Sequence, residues 1–150
     1  MAVTQTIYMK NFFTLLALLA SLLAFSQSDP SWKVLHNSKV LLQAREEAPD
    51  KNVVAIKRSS LAGTGALQMI YQPAGDTKGW ERTITIMSEA DAEIQTFKGN
   101  AVKLSNAALR TMAKRGQRLM IYTISLPKDP KQRALVRVRR VHLCTIEIKG

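Results

Sequence analysis

The sequence holds a single cysteine, Cys144, so no disulfide can form within the chain and any folded body must be held by its apolar core. Histidine is almost as scarce, with only His36 and His142. Acidic residues are few: 11 Asp and Glu stand against 22 Lys and Arg, for a formal net charge of +11. Such an imbalance favours anionic partners, namely acidic polysaccharide, an anionic membrane surface or an acidic envelope protein. The bland alternative is a solubilising spread of charge, because the basic residues run the length of the chain.

Chemical motifs are missing too. There is no Gly-x-Ser-x-Gly elbow to raise a nucleophile. Gly63-Thr64-Gly65 lacks the following Lys and helix of a phosphate loop. The carboxylate pairs Glu46/Glu47 and Asp91/Glu93 sit in polar, turn-like stretches, where a solvated charge is the ordinary outcome. Hydrolysis of sugars needs two carboxylates facing each other across a cleft. Trp32 and Trp80 have flat faces suited to a sugar ring, although a core position is the commoner use of tryptophan. The residues therefore point to a non-enzymatic protein with no cofactor, with a small envelope enzyme of unknown reaction as an alternative.

One long hydrophobic run is present. Phe12–Phe25 reads FFTLLALLASLLAF, has no charge, and follows Lys10. Ala24 and Ser26 stand three residues and one residue before a cut at Gln27, as a signal peptidase requires. A membrane-spanning helix needs about 20 apolar residues, more than this run has. The alternative is a buried core helix, but nothing downstream offers helices to pack on it. Met9-Lys10-Asn11 makes a better start than Met1, since residues 1–8 carry no charge. No cysteine lies at the cut, which excludes lipid attachment there. The expectation is a signal peptide over residues 1–26, cleaved near Ser26/Gln27, and export to a periplasm or the medium. A single domain over 27–150 then remains, with no transmembrane segment. Export makes nucleic acid the least favoured anionic partner.

Strand signals dominate that domain. Runs rich in β-branched and aromatic residues cover Trp32–His36, Val40–Ala44, Asn52–Lys57, Gly65–Gln72, Trp80–Met87, Glu93–Phe97, Ala101–Leu104, Arg118–Leu126 and Leu135–Lys149. Asn37-Ser38-Lys39 reads as a hairpin turn, because Asn tolerates the left-handed conformation. Lys98-Gly99-Asn100 reads as a second turn. One short helix is predicted after Ser105, which can cap it. Ala108, Leu109 and Met112 form its apolar stripe, Lys114 and Arg115 its basic last turn, and Gly116 its end. Residues 58–63 suggest a further helical turn.

An internal echo suggests a layout. Gly65, Met69, Ile70 and Tyr71 match Gly116, Met120, Ile121 and Tyr122 at a constant offset of 51. Each copy reads strand, short helix, strand, loop, strand. The expectation is an all-β fold, a two-sheet sandwich with one short helix, built from two related halves; coincidence among β-formers is the alternative. Expected inward residues are Trp32, Val34, Val54, Ile56, Met69, Tyr71, Ile84, Ile86, Met120, Tyr122, Val141 and Leu143.

The last strand carries most of the arginines. In Val136–Ile148, Val136 and Val138 alternate with Arg137 and Arg139, and a β-bulge at Arg139-Arg140 would keep Val141 and Leu143 inward. Arg133, Arg137, Arg139 and Arg140 form a candidate anion-binding stripe; the alternative is pairing with Asp and Glu of neighbouring strands. Trp32-Lys33-Val34-Leu35-His36-Asn37, Lys39-Val40-Leu41-Leu42 and Val136–Cys144 resemble small uncharacterised exported proteins of Bacteroidetes-type bacteria. The resemblance implies a signal peptide and a β-rich domain, and no activity.

Copper is the one metal reading. His36, His142, Cys144 and Met87 or Met120 make up a two-His, Cys and weak Met set, and His142-x-Cys144 would put both ligands on one strand face. Against it, Cys144 lies mid-strand rather than in a ligand loop, and the expected use of Cys144 is as a buried small hydrophobe. The expected role is a binding or structural accessory that recognises an acidic polymer or partner surface through a basic edge.

Overall fold

The computed structural model describes residues 29–114 and 118–150. The expected leader, its cut site, and the proposed helix end at Gly116 lie outside them. Among the described residues, nine strands form two sheets: β1 (Ser31–His36), β2 (Lys39–Ala44), β3 (Val53–Lys57), β4 (Ala66–Gln72), β5 (Trp80–Ser88), β6 (Glu93–Lys98), β7 (Ala101–Ser105), β8 (Arg118–Pro127) and β9 (Val141–Lys149). The first sheet has the order β2-β1-β4-β7, the second β3-β9-β8-β5-β6. All pairs are antiparallel except β3 with β9. The all-β sandwich is the observed architecture.

Local chemistry explains the turns. Asn37 and Ser38 both have positive φ, 49° and 68°, and join β1 to β2 in a two-residue hairpin with His36 opposite Lys39. Gly99, at φ 100°, turns a different corner. It joins β6 to β7, which lie in different sheets, so this turn carries the chain across the sandwich.

Alternation then builds the core. Trp32 and Val34 of β1, Leu67 and Met69 of β4, and Val102 and Leu104 of β7 face Val54, Ile56, Ile84, Ile86, Leu119, Ile121, Leu143 and Ile146 of the second sheet in one buried cluster. Tyr71 and Val141 are partly buried against it. Met120 and Tyr122 are not inward; Leu119, Ile121 and Thr123 take that face of β8. Both faces of β8 are apolar in sequence, so alternation alone is ambiguous. Pairing decides: the inward Ile84 and Ile86 of β5 stand opposite Thr123 and Ile121.

The echo is one of sequence and element order, not of position. Met69 faces the core while its match Met120 faces away. The strand after β4 joins the other sheet, whereas β8 and β9 are adjacent.

Helical segments differ from the expected single helix. The helix α1 (Asn106–Met112) starts as predicted, with Ser105 Oγ accepting from the Ala108 N–H at 3.1 Å. The helical turn expected over 58–63 is a 3-10 helix, Arg58–Leu61. A second helix, α2 (Pro130–Leu135), was not expected. Asp129 caps it by accepting from the Lys131 N–H, and Pro130 supplies a ready-set first turn. The last strand therefore begins at Val141, and residues 136–140 are irregular rather than extended in a ladder. The bulge also moves. Val141, His142 and Cys144 pair with Thr123, Tyr122 and Ile121, which leaves Leu143 as the extra residue.

The two ends of the sandwich are closed differently. At the β4 N-terminal end, Leu61, Leu109 and Met112 are buried beneath α1 and the 3-10 helix. At the β4 C-terminal end, no helix among the described residues caps the core; α2 adjoins this end with none of its residues buried, and Arg82 of β5 takes an inward position beyond Ile84.

Candidate functional site

The predicted arginines do not form one stripe. Arg133 lies on α2, while Arg137, Arg139 and Arg140 lie on the irregular connection to β9. Arg139 Nη1 donates to Glu47 Oε2 at 2.6 Å. Arg140 Nη2 donates to Asp91 Oδ1 at 2.7 Å, and its guanidinium lies 4.6 Å from the Tyr122 ring centroid. These two are thus engaged by carboxylates from other elements. Arg133 Nε donates to the Pro127 carbonyl at 3.1 Å. Arg133, Arg137, Lys128 and Lys131 meet no carboxylate among the described residues. Four cations without an ion-pair partner thus lie on or beside α2, while others, such as Lys33, Arg45, Lys57 and Lys103, are spread over the rest of the fold.

Glu47 is no idle surface charge. Its Oε1 accepts the His142 backbone N–H at 2.9 Å while Oε2 holds Arg139. Both bonds favour the carboxylate, the backbone one most, and hold its pKa below the ordinary value. His142 is itself buried, with Nε2 3.0 Å from Thr145 Oγ1 and its ring edge-on to Tyr122. Burial pushes its pKa down, opposed by the Glu47 charge. Nδ1 has no hydrogen-bond partner among the described residues.

The copper set is not brought together. The bulge at Leu143 places His142 beside Tyr122, on the outer face, and Cys144 in the core, so the two do not share a face. His36 sits in the other sheet, with Nε2 3.0 Å from Asn106 Oδ1. Among the described residues, no three of His, Cys, Asp and Glu gather at metal-binding spacing. Burial raises the Cys144 thiol pKa far above its ordinary value, which suits the small-hydrophobe role.

Asn106 anchors a buried polar knot. Its Nδ2 donates to the carbonyls of Ser60 and Gly63, and its backbone N–H to that of Gly65. The knot ties α1 to the 3-10 segment. An open depression of about 900 Å³ lies outside it, lined by residues including Asn37, Gln68, Gln95, Phe97 and Lys103. Its polar side chains are neutral amides and hydroxyls apart from Lys103, and no histidine or carboxylate lines it.

The uncapped end holds a more concentrated set. Two adjoining depressions, of about 340 and 300 Å³, share Thr77, Trp80, Arg82 and Ser125. Trp80 is 40% exposed. Arg82 lies 4.1 Å over the Tyr71 ring centroid, and Tyr71 stacks on Trp32 at 6.1 Å and 10°. Arg82 Nη1 donates to Thr123 Oγ1 at 3.2 Å, and that hydroxyl donates to the Thr83 carbonyl. Arg82 Nε is buried without a hydrogen-bond partner among the described residues. Lys98, which pairs with Glu81 at 3.2 Å, and Lys128 line the larger depression. Sequence reasoning picked out Trp80 but missed Arg82. The signal was its place in register with inward Ile84 and Ile86, where an apolar residue would be expected.

Comparison with protein-family models, curated proteins and solved structures finds no match to the chain. Among the described residues no helix is long and apolar enough to cross a membrane.

Proposed function

We propose that this protein is an exported, non-enzymatic binding module that recognises an anionic polymer or acidic partner surface through the cations around α2. The supporting observation is that Lys128, Lys131, Arg133 and Arg137 follow one another in this short stretch with no ion pair among the described residues; its one carboxylate, Asp129, caps α2 through the Lys131 N–H. Arg139 and Arg140, held by Glu47 and Asp91, act instead as struts for the approach to β9. Exposed cations create a field that draws in polyanions and weakens as salt screens it.

The test is binding of the chain from Gln27 to immobilised heparin-like polymer and to vesicles containing anionic lipid, from low to physiological salt. Binding that weakens with salt, and that falls when Lys131, Arg133 and Arg137 are replaced by Ala together, supports the reading. No binding at low salt, or binding insensitive to salt, sinks it. Export is tested separately by N-terminal mass spectrometry of material recovered outside the cytoplasm; a chain still carrying Phe12–Phe25 contradicts it.

A further inference from the structure

The uncapped end of the sandwich places an exposed indole beside a fixed guanidinium. Trp80 and Arg82 are two residues apart on β5, so their side chains share one face at neighbouring positions. Ser125 is the cross-strand partner of Arg82, and Pro127 that of Trp80. The Arg82 guanidinium is held from behind by the Tyr71 ring and by Thr123, so little side-chain freedom is lost when it meets a ligand. Of the nearby carboxylates, Glu81 is paired with Lys98, while Asp76 lines the smaller depression with only the Lys78 N–H on it, so the larger depression, with Lys128, is the side for an anionic group. Lys128 stands at the rim with no carboxylate partner, and Arg133 bonds the carbonyl of Pro127 beside it.

We propose that this mouth binds an acidic saccharide, with a sugar ring laid on Trp80 and its carboxylate or sulfate facing Arg82 and Lys128. The proposal rests on the anion-binding reading and names a subsite within it. A simple anion makes no use of the exposed indole, and a neutral sugar offers the Arg82 guanidinium only uncharged acceptors, which bond it more weakly than a carboxylate or sulfate. The hydroxyls of Thr77 and Ser125 suit the ring hydroxyls. A nucleobase would stack equally well on Trp80; the export leader read in the sequence favours the saccharide.

Short ligands separate this site from the general field. Trigalacturonate, a sulfated disaccharide, neutral maltotriose and a dT trinucleotide are titrated into the chain from Gln27 at low salt, followed by tryptophan fluorescence and calorimetry. Trp32 is buried, so a ligand at the mouth is read by Trp80. The expected result is binding of one or both acidic sugars, and the stronger of the two tells carboxylate from sulfate recognition. Loss of the aromatic face in Trp80→Ala should weaken binding about tenfold or more. Arg82→Lys keeps the charge but loses the planar fork, and should weaken it by a similar factor. Lys57→Ala, on the far edge strand β3, should leave it unchanged. Trp80 is exposed, so that variant decides the matter even if Arg82→Lys fails to fold. Unchanged binding in Trp80→Ala, equal binding of maltotriose, or tighter binding of the trinucleotide overturns the proposal. Retained polymer binding with no short-sugar binding overturns this site alone; loss of both overturns the general reading as well.

Discussion

The indole of Trp32 donates to the carbonyl of Leu143 at 2.8 Å, bridging the two sheets at the residue that the β9 bulge leaves unpaired. The bulge withdraws Leu143 from the ladder, and a side chain from the opposite sheet supplies the donor. Trp32 thus packs the core and satisfies the backbone defect. Trp32→Phe retains most of the apolar surface but orphans the carbonyl, and should destabilise the fold by about 1–3 kcal/mol. Urea unfolding measures it; a change of only a few tenths would show that the bond contributes little.

Gly65 is confined by the polar knot. A Cβ there would overlap Asn37 Oδ1 and come within 2.8 Å of Asn106 Nδ2. Asn37 Oδ1 also accepts the Ala66 N–H, so it is not free to swing away. Gly65→Ala should cost about 1–3 kcal/mol by overpacking. Asn37→Gly keeps the positive φ and removes the obstructing oxygen, so the double variant should recover part of the loss. Additive losses in the double-mutant cycle would contradict this coupling.

Stability should fall on acidification in two stages. His142 has a native pKa below its ordinary 6.5, so the unfolded chain takes up a proton first and stability drops as pH falls through that value. Glu47 has a native pKa below its ordinary 4.5, so a second loss follows as pH falls below it and through the native value. His142→Gln should flatten the upper stage, and Glu47→Gln the lower one. Urea midpoints across pH test both; an upper stage unchanged in His142→Gln would contradict the assignment.

Cys144 should resist thiol reagents in the native state, because it is buried in the core cluster and its thiolate is strongly disfavoured. Labelling by an aromatic disulfide should be complete in denaturant and, in buffer, no faster than opening of the fold. Rapid native labelling would show that β9 is accessible.

Much of the sandwich was legible in the residues. Runs such as Trp80–Met87 alternate under the period of a half-buried strand, and Asn37-Ser38 and Ser105 mark a hairpin and a helix cap by short-range chemistry. The final segment misled because valines alternating with arginines at 136–139 imitate a strand. Asp129-Pro130 instead begins a helix that runs to Leu135, and residues 136–140 after it join no ladder. The arginines were visible, but their fates were not: Glu47 and Arg139 are 92 residues apart in the chain, and only folding joins them.

By itself the sequence determined the strand content, the two-layer architecture, the local turns and caps, and the excess of positive charge, since each depends on residue type and short spacing. Tertiary structure alone decided which face of β8 turns inward, where β9 bulges, which arginines are neutralised, and that Arg82 lies over Tyr71 at a mouth it shares with an exposed Trp80. Those outcomes depend on pairing between distant strands, and in strands apolar on both sides the register is chosen by the neighbour.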